Sequence, residues 1–294
     1  MTPPVRPPAA LAFIGLGNMG APMAARLVEA GYKVTGCDAA PAARERFAAI
    51  VGRTSVADVA AAVAGMPVVI TMLPDGQAVA AVVAAMRPHL APGAIVVDMS
   101  SSDPVGTRAL GAELAAAAIR LIDAPVSGGV KRAVDGSLAI MAGGEAAAID
   151  AVEPVLSPMG RVVFRTGPLG SGHAMKALNN YVSGAGFVAA IEALRVGEAF
   201  GLDPAVMTDV LNASTGRNNS TETKVKQLVL SESYASGFSL GLMAKDIRTA
   251  ERLAAAIGIE ARLAERCAAL WDEAAAALGP SADHTEIARH LRGR

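Results

Sequence analysis

Three glycines and one aspartate near the start of the chain have the types and spacing for chemistry. Gly15-Leu16-Gly17-Asn18-Met19-Gly20 follows an apolar run and opens a segment of helical length. In such a loop Gly15 permits a tight turn, Gly17 lets backbone approach a pyrophosphate, and Gly20 lets the helix pack on the strand. Free N–H groups at the helix start then face the phosphates. The next apolar run ends at Asp38, roughly 20 residues beyond Gly15, where a carboxylate can meet the ribose hydroxyls of an adenosine. Loop, helix, strand and acid in this order point to a bound dinucleotide. A carboxylate accepts a hydrogen bond from a 2′-hydroxyl and repels a 2′-phosphate, so NAD is expected over NADP. Arg44 and Arg46 are nearby cations that could meet a 2′-phosphate, which keeps NADP possible.

These residues need a sheet with crossover helices to position them. Strands are expected at 11–15, 33–37, 68–72, 95–99, 120–123, 138–142 and 162–166, the last of these forming an antiparallel edge. Helical segments at 19–30, 41–49, 55–64 and 77–86 alternate with the early strands. Strand and helix at this pitch make right-handed crossovers and a mostly parallel sheet. After 167–172 no strand pattern recurs. Helices are expected at 173–200, 204–211, 246–257, 259–278 and 285–292. The reading is an α/β protein: a tail at 1–9 expected to be disordered, a doubly wound, Rossmann-type NAD-binding domain at 10–166, and an all-helical domain at 167–294 joined by a long helix.

The composition narrows the function classes. The 294 residues are 52% hydrophobic, 18% charged and 3% aromatic, with a formal net charge of -1. Such a chain is globular and long enough for two domains. Without a basic excess or aromatic stacking groups, no nucleic-acid partner is expected. The longest uncharged run, between Asp58 and Asp75, is broken by Gly65, Pro67 and Pro74, so no membrane span is expected. Two distant cysteines, Cys37 and Cys267, make no disulfide framework, and a cytoplasmic setting is the default. His89, His173, His284 and His290 lack metal-ligand spacing, so no metal is expected.

Four segments together carry a family resemblance: 13–20 (FIGLGNMG), 123–129 (DAPVSGG), 170–180 (GSGHAMKALNN) and 237–246 (GFSLGLMAKD). The chain resembles the β-hydroxyacid dehydrogenases, the group that includes 3-hydroxyisobutyrate dehydrogenase and tartronate semialdehyde reductase. The match runs from about Leu11 to Ala277. It implies reversible hydride transfer between a nicotinamide and a small β-hydroxy acid. Lys176 matches the family's catalytic lysine, which moves the hydroxyl proton, with its pKa lowered by desolvation beside the cofactor. Asn180 is four residues on, hence on the same helix face, and holds the same oxygen or the substrate. Ser127, Gly128 and Gly129 match the segment that anchors the substrate carboxylate, with Lys131 as a further cation. Lys245 matches a lysine near both cofactor and substrate. Phe238 is implied to pack near the nicotinamide, and Leu73, Pro74 and Ser101 to line the cofactor site. Asp246 is read as capping the following helix, and a capping role competes for Ser101.

The segment 212–222 looks like the family's substrate-side loop. Arg217, Asn218 and Asn219 could contact the distal part of a substrate or stabilise the loop. This loop lacks the aromatic expected of a 3-hydroxyisobutyrate enzyme. That departure raises the alternative of a semialdehyde reductase acting on tartronate semialdehyde or on a sulfonated or polyhydroxylated analogue. A non-catalytic dinucleotide-binding regulatory module is a second class, and imine reductases share the architecture; Lys176 and Asn180 argue against both. Small or apolar residues at Val182, Gly186, Ala189, Ala190 and Ala193 point to a homodimer or homotetramer built on the long helix.

Overall fold

The computed structural model describes residues 3–53 and 55–293. Two units separate, Met1–Lys176 and Ala177–Arg294. This division lies inside the long helix, whereas the sequence places the boundary near 167. The first turn of that helix is packed into the first unit, through Gly172 against Met141 and His173 N–H on Asp123.

The first unit is a sheet covered by helices. Its strands are β1 (Ala10–Ile14), β2 (Lys33–Cys37), β3 (Val68–Thr71), β4 (Ile95–Asp98), β5 (Arg120–Asp123), β6 (Val126–Ser127), β7 (Leu138–Gly143) and β8 (Gly160–Gly167). The helices between them are α1 (Gly20–Glu29), α2 (Pro41–Val51), α3 (Val59–Val63), α4 (Gly76–Met86), α5 (Pro104–Ala115), α6 (Gly129–Asp135) and α7 (Ala146–Leu156). The order is β2-β1-β3-β4-β5-β7-β6, with β8 on β7. Strands β1 to β5 are parallel. The antiparallel pairings expected at the far edge are those of β7 with β5 and β6, while β8 runs parallel to β7.

Strand alternation sends side chains to both faces. Leu11, Phe13, Val68, Ile70, Ile95 and Val97 enter one apolar core, and Ala12, Ile14, Val69 and Val96 enter another. Both faces are dry, which is why β3 and β4 read as apolar runs up to their last residues, Thr71 and Asp98. The described part of the supposed tail is ordered. Val5 N–H donates to Ala151 O (2.7 Å), Tyr32 Oη donates to Val5 O (3.1 Å), and Val5 and Ala9 pack on the core. Apolar contacts and a backbone hydrogen bond hold a proline-rich segment that the sequence reads as free; Met1 and Thr2 lie outside the described residues.

The long helix α8 (Ser171–Phe200) leads from the first unit into the second, which continues with α9 (Pro204–Ala213), a π-helical segment (Thr221–Leu230), α10 (Leu240–Ala256), α11 (Arg262–Leu278) and α12 (Ile287–Leu291). Its core holds Trp271, Phe187, Ile191, Leu194, Ile247 and Cys267. A Cβ on Gly184 would stand 2.5 Å from Ile247 Cδ1, so this glycine sets how closely α10 approaches α8. Two corrections follow. The π-helical segment has no counterpart among the expected helices, because only Thr221, Val225 and Val229 of its ten residues are buried. Helix α10 begins at Leu240 under a Ser239 cap, not at Asp246.

Candidate active site

In the first unit the motif residues gather at the carboxyl ends of the parallel strands: Gly15 after β1, Asp38 after β2, Leu73 after β3, Asp98 ending β4 and Asp123 ending β5. Gly15 has φ +96°, and a Cβ there would lie 2.3 Å from Met72 O; one on Gly20 would lie 1.9 Å from Gly15 O. Both are therefore closed to any side chain. A Cβ on Gly17 would meet nothing within 4 Å. The loop is locked from below and open above, as a backbone seat for a pyrophosphate requires. Met19, at the cap position of α1, makes no side-chain capping bond; the Ala21 N–H donates to Gly17 O (3.1 Å) and Pro22 has no N–H, so an anion would be met by the loop just ahead of the helix.

Asp38 is bound into this loop. Its Oδ2 accepts from Leu16 N (2.8 Å) and its Oδ1 from Ala40 N (2.8 Å). Arg44 donates to the carbonyls of Asp38 (2.7 Å) and Ala39 (2.9 Å), while Arg46 is exposed. The Leu73 N–H donates to Ser100 Oγ (2.9 Å). Ser101 and Pro74 sit in the loops after β4 and β3. The cap of α5 is Asp103, whose carboxylate accepts from Gly106 N (2.7 Å), and not Ser101. Ser127 ends β6, and Gly128 (φ +136°) and Gly129 (φ +68°) turn the chain into α6. Lys131 is exposed on that helix.

The start of α8 is fastened to the same strand ends. A Cβ on Gly172 would stand 2.2 Å from Met141 O, so the helix meets the sheet backbone directly. The buried Asp123 carboxylate accepts from Gly170 N (2.8 Å) and His173 N (2.7 Å). Burial pushes the Asp123 pKa up, and His173 and the two backbone donors pull it back. The His173 ring is 1% exposed. Its Nδ1 shares a hydrogen bond with Thr107 Oγ1 (2.8 Å), and its Nε2 lies 3.6 Å from Asp98 Oδ2. Asp98 also accepts from Thr71 Oγ1 (2.9 Å), Ser100 N (3.0 Å) and Ser102 Oγ (2.8 Å). Lys176, half-buried, follows one turn later.

In the second unit Asn180 is 7% exposed. Its Nδ2 donates to Asp246 Oδ2 (2.6 Å), and Lys245 Nζ stands 3.4 Å from Asp246 Oδ1. Asp246 is thus an interior helix residue that orients Asn180 and neighbours Lys245, not a cap. Phe238 packs edge-on to the His284 ring, 5.6 Å between centroids. His284 is enclosed by Phe187, Phe238 and Trp271. Burial and Lys224 lower its pKa to about 4. The substrate-side loop is self-supporting at Asn218, whose Oδ1 accepts from Ser220 N (2.8 Å) and Thr221 N (3.1 Å). Arg217 faces Glu222 (3.7 Å), and the Asn219 carbonyl accepts from Thr223 Oγ1 (2.7 Å).

The chain is similar to known proteins along both units. Residues 10–167 match the family described as the NAD binding domain of 6-phosphogluconate dehydrogenase. Residues 170–291 match the family described as NAD-binding of NADP-dependent 3-hydroxyisobutyrate dehydrogenase. A 3-hydroxyisobutyrate dehydrogenase of Pseudomonas aeruginosa is 37% identical over 81% of this chain and 82% of its own. An NAD-dependent L-serine dehydrogenase of the same organism is 35% identical over 84% and 85%. The structure of Mycobacterium tuberculosis 3-hydroxyisobutyrate dehydrogenase with L-serine superposes with a TM-score of 0.89 at 34% identity, covering 97% of this chain and 99% of that one.

The chain belongs to the β-hydroxyacid dehydrogenase family. It is accordingly an NAD(P)-dependent oxidoreductase of hydroxy acids. For this dehydrogenase the open space over Gly17 is compatible with a dinucleotide, and the 15–20 loop and Asp38 are the residues that could hold it. Sequence reasoning missed the structural work of Asp98, Asp123 and His173. Asp123 lies inside the quoted segment 123–129, but nothing in its spacing shows that its carboxylate accepts bonds from a helix start 47 residues away. The bond between Asn180 and Asp246 spans 66 residues and left no local signal either.

Proposed function

We propose that this dehydrogenase oxidises a small β-hydroxy acid, and reduces the corresponding semialdehyde, with Lys176 as the proton-transfer group. The observation that carries the proposal is the fastening of α8: Gly172 lies against the sheet and Gly170 and His173 N–H donate to Asp123, which supports a site for Lys176, one turn on, near the strand ends where open α/β sheets bind ligands. The nicotinamide, when bound, supplies the hydride acceptor. Lys176 takes the hydroxyl proton during oxidation and returns it during reduction. Asn180, one turn later on α8 and oriented by Asp246, holds the alcohol oxygen. Ser127, with the backbone of Gly128 and Gly129, is assigned to the substrate carboxylate. Lys245 is assigned to the cofactor and substrate side of the second unit, with Phe238 beside the nicotinamide and Leu73, Pro74 and Ser101 along the cofactor.

The test is Lys176→Met, assayed across a panel of hydroxy acids. The chemical step falls ~10²–10⁴-fold with NAD affinity little changed. Lys176→Arg fails nearly as badly, since guanidinium does not release its proton. A variant keeping more than about a tenth of kcat would reassign proton transfer.

NAD is the preferred cofactor in this reading. The Asp38 carboxylate stands in the loop itself, while Arg44 is occupied with two carbonyls. Asp38→Ser should shift the kcat/KM ratio toward NADP; a wild-type preference for NADP would refute the reading of Asp38. We also place the enzyme in the cytoplasm, because both cysteines are free and buried, with thiol pKa values pushed up to about 11. Association is proposed through α8. Gly186 and Ala190 do not serve, since Ala190 is 5% exposed and Gly186 faces Asn218. Ala189 and Ala193 are exposed, as are Val182 (68%), Val196 (71%) and Phe200 (84%). Light scattering should show a dimer or tetramer, and a 29.6 kDa particle would refute it.

A further inference from the structure

Lys224 has no task in the chemistry assigned above. It projects from the π-helical segment and is half-buried. Its ammonium donates to Ser183 Oγ at 3.5 Å and stands 5.6 Å from the centroid of the buried Phe187 ring. Nearby acids are committed elsewhere. Glu222 faces Arg217, Asp209 accepts from Lys226, and Asp283 accepts from Ser236, Gly237 and Thr285. Among the described residues no carboxylate forms an ion pair with Lys224. Burial lowers its pKa to about 8, with the more distant Asp283 opposing. A cation held this way is poorly compensated, and such groups mark binding sites more often than ordinary surface lysines do. Extended π-helical turns are themselves rare and concentrate at functional positions.

The position of the ammonium narrows the ligand. Residues 180, 183 and 187 recur at helical spacing, so Ser183 and Phe187 share one face of α8 with Asn180. Asn180 and Ser183 are separated by roughly 5 Å along the axis. The ammonium therefore stands about one turn of α8 beyond the amide assigned to the alcohol oxygen, a few bonds along a substrate chain.

We propose that Lys224 is a specificity-determining residue that receives the second anionic group of a dianionic hydroxy acid. The inference rests on the functional reading above and deepens it. A substrate with one carboxylate leaves the ammonium unmet, whereas one with a distal carboxylate completes the pair and gains a charge-assisted hydrogen bond in half-buried surroundings.

Lys224→Gln and Lys224→Arg test this, with 2-(hydroxymethyl)glutarate as dianion and 3-hydroxyisobutyrate as monoanion. Wild type should favour the dianion. In Lys224→Gln the dianion-to-monoanion ratio of kcat/KM should fall at least tenfold, mainly through KM for the dianion, and Lys224→Arg should recover most of it. Equal losses on both substrates, or an unmoved ratio, would overturn the proposal and leave Lys224 a packing residue. A second arm uses thermal unfolding with NAD present. Glutarate should raise the Tm of wild type more than butyrate does, and Lys224→Gln should abolish that difference; no difference in wild type also overturns it. If glutarate discriminates as expected while neither hydroxy acid is oxidised, the catalytic reading fails and the anion site stands.

Discussion

The two units build their functional groups from different material. In the first, the candidate site rests on a backbone frame, made of the 15–20 loop, the open space over Gly17 and the α8 start whose N–H groups are taken by Asp123, on which the side chains of Asp38 and Lys176 are set. In the second the groups are side chains held by other side chains, as Asn180 is by Asp246 and Phe238 by the aromatic box around His284. Backbone sites are made by deleting Cβ atoms, so they depend on glycine at fixed positions. Side-chain sites depend on which helix faces meet, and many residue types can stand on a helix face.

The largest effect expected from this contrast is at Gly20. A Cβ added at this position would fall 1.9 Å from a backbone carbonyl that cannot swing aside. Gly20→Ala should therefore cost ~4 kcal/mol or more, the range reserved for severe core strain, and abolish dinucleotide binding. Chemical denaturation and titration with NAD would measure both; a variant with wild-type stability would show that the loop relaxes freely.

Second in size is a pH effect confined to the helical unit. The folded pKa of His284, about 4, lies below the ordinary value of 6.5, so the unfolded chain binds its proton first as pH falls. The contribution is complete above pH 6.5 and is lost progressively down to about pH 4, by at most ~3 kcal/mol. Urea unfolding at pH 7 and pH 4.5, comparing wild type with His284→Phe, isolates this group from the carboxylates. Identical slopes in the two proteins would remove His284 as the cause.

The smallest effect on stability, and the one that sharpens the contrast most, is at Gly17. A methyl group there meets no protein atom, so Gly17→Ala should keep stability within ~1 kcal/mol, the cost or gain of a glycine exchange at a compatible site. It should nonetheless weaken dinucleotide binding about tenfold by standing where the pyrophosphate approaches. Equal damage to fold and binding would mean that the loop is not open above Gly17.

Much of the first unit was legible in advance. The parallel strands β1 to β5 and their helices announce themselves because a strand buried on both faces is apolar along most of its length, as Val68, Val69 and Ile70 and then Ile95, Val96 and Val97 are. The second unit was less legible. The π-helical segment hides behind its polar residues, and α10 starts six residues before its expected first residue because Ser239 caps it. Asp246 illustrates the difficulty. It stands in a motif and is charged, yet whether it caps, binds or orients depends on Asn180, which is distant in sequence.

The nucleotide-binding fold, the glycine loop and the family are readable from residue order alone, since they depend on local periodicity and on Gly15 and Gly20, which no other residue can replace. How the functional side chains are held emerges once whole elements pack. A buried carboxylate can accept bonds from any N–H groups the fold brings to it, as Asp123 does from Gly170 and His173. A lysine's surroundings are likewise set by the elements packed around it, as those of Lys224 are by Ser183 and Phe187. Such partners meet through the packing of whole elements, which is a property of the folded chain and leaves no mark in the spacing of neighbouring residues.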